Sequence, residues 1–414
     1  MVGRLDPALS GRYVGRSMSI AGTERRTWMR AALYVGTAAV YSDMYISQPL
    51  LPLLSKEYGV APAEAGLSVS AVVLAIAMAS SFHGPLGDAL GRKRVMVGAT
   101  LLLAAPTLLC AFTPSFHVLV ALRALQGLLI PGMTAVSVAY IGEELPVDEV
   151  GPAVGGLIAA SVAGGLAGRV GSGAVAAHLG WRAAFVVFAA TTLAGALLMA
   201  LSLPPSPARA RVGWGRAYGG MLVHLRDRRL VGAFLAGLTL FFGFIGVFTY
   251  LPYRLTAAPF RLGTGPVSSV YLVYVAGVVI SPIASRLAAR LGSVRLMAAG
   301  LVVSALGVTA TLVPSLPLIV AALVILCVGM FTAQSIAPSF VNLTASEPKG
   351  GASALYLAFY YWGGTLGSVL PGLAWQRWAW PGVVVVCVGA MGLGLISAVT
   401  LCRARVSISR SPRA

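Results

Sequence analysis

The chain has 414 residues, of which 58% are hydrophobic and only 10% charged, whereas soluble domains carry roughly a quarter charged residues. Thirty Lys and Arg against twelve Asp and Glu give a net +18, but the basic residues stand between long apolar runs. The four cysteines (Cys110, Cys327, Cys387, Cys402) show neither disulfide nor zinc spacing, so a soluble enzyme, a secreted disulfide domain and a nucleic-acid binder are all excluded.

A helix crossing the hydrocarbon layer needs about 20 mostly apolar residues. Twelve such stretches are predicted, in order 31–51, 65–86, 95–112, 116–140, 151–179, 181–203, 230–250, 266–287, 296–313, 317–342, 351–370 and 380–401. The first does not read as a cleaved signal peptide. It follows a polar, Arg-rich stretch and runs through Asp43 and Pro49 without a small-residue cleavage motif. Residues 204–229 interrupt the pattern with three early prolines and six arginines, which predicts a linker between two six-helix halves. The expected division is a basic tail (1–30), an N-terminal bundle (31–203), the linker (204–229), a C-terminal bundle (230–402) and a short tail (403–414). With the N-terminus placed in the cytoplasm, 23 of the 30 basic residues fall on the inner side and five outside; Arg123 and Arg169 lie within spans. Plain solvation would give no side bias, so both termini are expected to be cytoplasmic.

The halves repeat each other. Leu51-Pro52 recurs as Leu251-Pro252, Gly164-Gly165-Leu-Ala-Gly168 as Gly363-Gly364-Thr-Leu-Gly367, and Trp181 as Trp380, at an offset of about 200. Two parallel six-span repeats with a mid-membrane site between them are the architecture of alternating-access carriers. The predicted fold class is therefore an all-α membrane protein of 12 transmembrane helices in two pseudo-symmetric bundles.

Between the second and third spans stands Gly84-Pro-Leu86-Gly-Asp88-Ala-Leu-Gly91-Arg92-Lys93-Arg94. This resembles the cytoplasmic signature of the major facilitator superfamily, G-x-L-a-D-r-x-G-r-k, departing at Ala89. Gly84 and Gly91 permit close approach and a tight turn. Asp88 suits a facing helix N-terminus, and Arg92 and Lys93 anchor the loop. The resemblance implies a latch that holds the halves in one conformation; an ordinary basic turn is the alternative. The second-half counterpart, 285–292, has Ala289 where an acid would fall. Arg123-Ala-Leu-Gln126-Gly127 resembles the superfamily's R-x-x-Q-G, and 41–52 is similar to the first span of its proton-coupled drug and sugar exporters.

Asp43 is the one carboxylate well inside a span. A buried charge must find a partner, become neutral or face water. Burial favours the neutral acid and a neighbouring guanidinium the ionised one, so a carboxyl held between the two can load and release a proton. Arg123 is the expected partner, giving Asp43 and Arg123 as a proton-coupling pair; a static pair that holds the bundle is the alternative.

Gly156, Ala160, Gly164, Gly168 and Ser172 make a small-residue stripe for close helix contact. The stripe resembles the antiporter signature G-x-x-x-G-P-x-x-G-G, with Arg169 in place of its proline, which removes the expected kink. Two intramembrane arginines against one acid would favour an anionic cargo, although Arg169 serves equally as a structural group. Aromatic residues crowd the probable cavity helices, where they either stack on a cargo or face lipid. The candidate substrate-binding residues are Tyr41, Tyr45, Gln48, Arg169, Phe242, Tyr250, Tyr356 and Tyr360.

No enzyme constellation, cofactor motif or metal site is present. The histidines (His83, His117, His178, His224) lack ligand spacing, and the glycine clusters lie inside apolar spans. The resemblance implies a secondary transporter in the inner membrane that exports small organic compounds by proton antiport. A proton-coupled importer or uniporter of a small metabolite, anionic ones included, is the alternative. Expected partners are the substrate, protons and membrane lipid, with no nucleic acid; a monomer is expected.

Overall fold

A computed structural model describes residues 7–208, 222–345 and 349–402. The expected tail 403–414 and residues 209–221 of the linker lie outside the described residues. Within them the chain is helix and turn, with no strand, as expected of a backbone that must satisfy its own N–H and C=O groups in hydrocarbon. The long helices are α1 (Pro7–Tyr45), α2 (Leu67–Leu90), α3 (Arg92–Cys110), α4 (Phe116–Leu129), α5 (Val147–Ser202), α6 (Arg228–Thr256), α7 (Tyr274–Leu291), α8 (Ser293–Ala310), α9 (Leu316–Thr344) and α10 (Lys349–Leu401).

Among the described residues, nine helical segments are long and apolar enough to cross a membrane. Two of these, at 56 and 51 residues, are far too long for one crossing. Both bend where the backbone leaves helical geometry, at Gly180 (φ 82°, ψ 162°) in α5 and at Ala379 (φ 48°, ψ −139°) in α10. Each therefore supplies two arms, and the bends lie just before Trp181 and Trp380, the tryptophans of the sequence repeat.

The first predicted span needs correction at both ends. Its helix already begins at Pro7, inside the stretch expected to be a tail, and stops at Tyr45. A turn at Ile46–Ser47 and the 3-10 helix Gln48–Leu50 then lead into the short helix Leu51–Tyr58. Pro49, whose ring fixes φ and clashes with the carbonyl of Tyr45 and which has no N–H to donate to it, favours ending the α-helix at this point.

The repeat is visible in the packing. A Cβ on Gly164 or Gly168 would strike the backbone of Ala38 or Ser42, so the first arm of α5 crosses α1 at backbone contact. Ser42 Oγ donates across this crossing to the Gly164 carbonyl at 2.9 Å. In the second half, Gly363 and Gly367 meet the backbones of Leu238 and Phe242 in the same way, so α10 crosses α6 as α5 crosses α1. Small residues let helices approach this closely, which is what holds them together where lipid offers no hydrophobic incentive.

The halves meet at the end that carries Tyr58. Tyr253 Oη donates to the Leu51 carbonyl at 3.1 Å and lies 2.6 Å from Ser55 Oγ. Gln48 Nε2 reaches Thr249 Oγ1 at 3.4 Å, and Ser70 Oγ donates to the Thr365 carbonyl at 3.3 Å. Gly66 sits against the Ser368 carbonyl and Gly173 against Ser268, leaving no room for side chains at these two points. The opposite, basic end carries the Arg92–Arg94 turn and the ion pairs of Arg26 and Arg30 with Glu149.

Candidate substrate and proton site

The break in α1 organises the site. A helix that ends inside the membrane leaves its last carbonyls without intrahelical donors. Arg123 of α4, fully buried, supplies them: Nη1 donates to the Asp43 carbonyl at 2.9 Å and Nη2 to the Met44 carbonyl at 2.6 Å. Its Nε donates to the Ser68 carbonyl at 3.1 Å, and Nη1 also reaches Gln126 Oε1 at 2.7 Å. Ser172 Oγ caps Ile46 O at 3.0 Å. A cation is favoured at a helix C-terminus, and here it serves a C-terminus buried in protein.

The direct side-chain pair expected between Asp43 and Arg123 is not formed. The Asp43 carboxyl, itself fully buried, turns into the N-terminal half, where Oδ2 accepts from Thr107 Oγ1 of α3 at 2.8 Å and from Thr192 Oγ1 of α5 at 3.0 Å. Its other oxygen, Oδ1, has no hydrogen-bond partner. The two residues communicate by relay instead: Arg123 binds Gln126 Oε1, and Gln126 Nε2 donates to Thr107 Oγ1 at 2.6 Å. The broken helix competes for the guanidinium: its freed carbonyls take Nη1 and Nη2 of Arg123, while Nε goes to the Ser68 carbonyl of α2.

Tyr45 and Gln48, just beyond Asp43 in sequence, face the junction between the halves and meet Arg169 there. The Arg169 side chain is only 3% exposed. Its Nε donates to Gln48 Oε1 at 2.7 Å and its Nη1 to the Gly165 carbonyl at 2.8 Å. The guanidinium carbon lies 3.5 Å from the ring centre of Tyr45, 4.6 Å from that of Tyr274 and 5.9 Å from that of Tyr271. Two half-molecules thus contribute to one cation–π box. No carboxylate pairs with Arg169 among the described residues.

The other expected aromatic positions divide. Tyr356 and Tyr360 fall in one cluster, in which Tyr360 stacks on Phe241 at 3.9 Å and Tyr356 Oη donates to Gln334 Oε1 at 3.1 Å. Tyr41 packs half-buried beside the core. Phe242 contributes its backbone to the α6–α10 crossing, and its neighbour Phe241 carries the stacked ring. Tyr250 donates to the Ser368 carbonyl at 2.7 Å and packs against Gly66 and Gly372 in the closed end. Sequence reasoning missed Thr107, Thr192, Tyr271, Tyr274 and Gln334. Nothing distinguishes a pocket-facing Thr or Tyr from a packed one along a single helix. A separate cleft of about 800 Å³ opens near Gly292, lined by Ser293, Arg295 and Phe340 among others, away from these residues.

At the α2–α3 junction, Asp88 in the last turn of α2 pairs with Arg92 at 3.0 Å rather than with a facing helix N-terminus. Arg92 also binds Glu143 at 2.8 Å and the Ala139 carbonyl at 2.6 Å, and Lys93 Nζ donates to the Leu203 carbonyl at 2.5 Å. Gly91 takes φ +92° with the Ser206 carbonyl against it, which only glycine accommodates; Gly84 meets no neighbour that a Cβ would touch. The cluster thus ties the loop to its own half.

The sequence profile described as the Major Facilitator Superfamily matches residues 33–280. The chain is 34% identical over 368 residues to the inner membrane transport protein YnfM of Escherichia coli, covering 87% of each chain. It is 30% identical over 357 residues to the MFS-type transporter YybF of Bacillus subtilis, covering 85% of this chain and 88% of that one. Among solved structures, a bacterial homologue of the human lysosomal transporter Spinster, inward-facing and occupied, superimposes with a TM-score of 0.74. That match has 14% identity over 90% of this chain and 95% of the other. A D-xylose–proton symporter gives 0.73 at 16% identity, covering 91% and 97%. At such identities the structural likeness speaks for the fold alone.

Proposed function

Because the chain belongs to the major facilitator superfamily, and is thus a multi-pass membrane transport protein rather than an enzyme, we propose that it is a proton antiporter. It would export small organic compounds, drug- or sugar-like, across the inner membrane as a monomer in contact with lipid. The observation that carries this reading is the Asp43 carboxyl, fully buried, with two hydroxyl donors on one oxygen and none on the other. An oxygen without a donor is where a proton can reside, and the buried acid is costly to keep ionised.

In this reading Asp43 is the proton carrier, and Arg123 transmits its state to the break in α1. Tyr45 and Gln48, which flank that break, hold the cargo with Arg169. The junction at the Tyr58 end is the closed gate, and the basic end is the cytoplasmic one, as the charge bias argues. The Asp88–Arg92–Glu143 cluster would serve as the latch that exchanges partners when the halves rock. Division at the 204–229 linker supplies the two rocking bodies.

Proteoliposomes test it. Addition of a transported compound should discharge an imposed pH gradient with the natural protein. Asp43→Asn should abolish that discharge while counterflow of the same compound persists. Unimpaired gradient coupling in Asp43→Asn would refute the assignment. Proton-driven accumulation in right-side-out rather than inverted vesicles would favour the importer over the exporter.

A further inference from the structure

Arg169 is a buried cation without an anion among the described residues. Its Nε and Nη1 are engaged by Gln48 and Gly165, and its face is covered by Tyr45, but aromatic faces do not accept an in-plane N–H. Nη2 makes no hydrogen bond among the described residues. Beside it stands Tyr274, 5% exposed, whose ring centre is 4.6 Å from the guanidinium carbon and whose hydroxyl has no partner. Two donors, one from each half of the molecule, therefore stand side by side without an acceptor among the described residues. A donor held in protein without an acceptor is costly, the more so when the group is charged. One acidic group on a ligand would satisfy both and neutralise the cation.

We propose that Arg169, positioned by Gln48 and assisted by Tyr274, is an anion-binding subsite, and that the cargo is an organic monocarboxylate with a flat apolar body. This rests on the reading above that the junction at Arg169 is the substrate site. One carboxylate is the fitting charge because Arg123, the other intramembrane cation, has all its nitrogens bound to protein. A second acidic group would therefore find no other free intramembrane arginine among the described residues. The apolar body follows from the walls: Tyr45 and Tyr274 flank the guanidinium, and Tyr274 lies edge-on to Phe244 and Phe331. Planar rings pack well against such walls. Because Arg169 and Tyr274 come from different halves, the anion would also hold the halves together at this end.

The test is equilibrium binding to the purified full-length protein in detergent, at one pH and with no gradient. The probes are benzoate, phenylacetate and 3-phenylpropionate, each compared with its own amide, and acetate. At least one acid should bind roughly tenfold or more tighter than its amide, the difference a charge-assisted pair supports, and acetate should bind more weakly than that acid. Arg169→Gln should erase the preference for acid over amide. Arg169→Lys, which keeps the charge but not the planar fork, should weaken the acid roughly tenfold and spare the amide. If Arg169→Gln does not fold, the acid–amide comparison on the natural protein and Arg169→Lys still decide. Amides that bind as well as their acids, no binding by any of the three acids, or an acid preference that survives Arg169→Gln would each overturn the proposal. Because no gradient is applied, loss of proton coupling would leave this result untouched, and acid binding without coupling would refute only the antiport reading.

Discussion

The guanidinium of Arg123 donates to the main-chain carbonyl of Asp43 at 2.9 Å, while the Asp43 carboxyl points the other way, to Thr107 and Thr192. Arg123 therefore acts as the cap of a helix that ends inside the bilayer, and the acid is left to polar hydroxyls. One residue thus holds the break in α1 from its backbone side, while its side chain sits in a separate buried network.

Removing the cap should be costly. Arg123→Ala frees the carbonyls of Asp43, Met44 and Ser68 in a buried site, and at about 1–3 kcal/mol for each unpaired group the protein should lose roughly 3 kcal/mol or more. Thermal unfolding in detergent measures this. Arg123→Lys should fall between the two, because an ammonium cannot reproduce the fork. Melting of Arg123→Ala like the natural protein would show that the break is held otherwise.

The closed end should depend on Tyr253. Tyr253→Phe removes the hydroxyl that binds Leu51 O and Ser55 Oγ across the halves. A loss of about 1 kcal/mol from this state shifts the balance roughly fivefold toward separation at that end. Spin labels at the exposed Lys56 and Ala257 should report a larger long-distance population in Tyr253→Phe, with overall stability little changed.

The two bends should both favour glycine, so opposite exchanges at them should have opposite signs. Gly180 has φ +82° with open space around it, so Gly180→Ala meets backbone strain alone and should cost about 1–3 kcal/mol. Ala379 already occupies such a region at φ +48°. Ala379→Gly should therefore stabilise, by roughly 1 kcal/mol after the flexibility glycine adds to the unfolded chain. Paired melting curves check both signs.

The fold was legible because its determinants are periodic or repeated. Apolar run length placed the helical stretches, and the Gly164/Gly168 and Gly363/Gly367 pairs marked the two crossings that the structure shows at backbone contact. The break at Ile46–Ser47 was half legible: Pro49 removes an α-helical hydrogen bond there and disfavours the ladder, but an apolar count passes over one proline. The buried arginine at 123 was readable as a residue needing acceptors. Which acceptors it takes was not, because backbone carbonyls carry no sequence signal. Likewise Asp43 was an obvious candidate, whereas Thr107 and Thr192 become its donors only through the packing of three helices.

The central claim is that the protonation state of Asp43 sets the balance between the two arrangements of the halves. It can be measured without knowing the cargo, by following the Lys56–Ala257 spin-label distance in nanodiscs from acidic to alkaline pH. A pH-dependent redistribution in the natural protein that disappears in Asp43→Asn is the expected result. An identical pH response in both proteins would contradict the account.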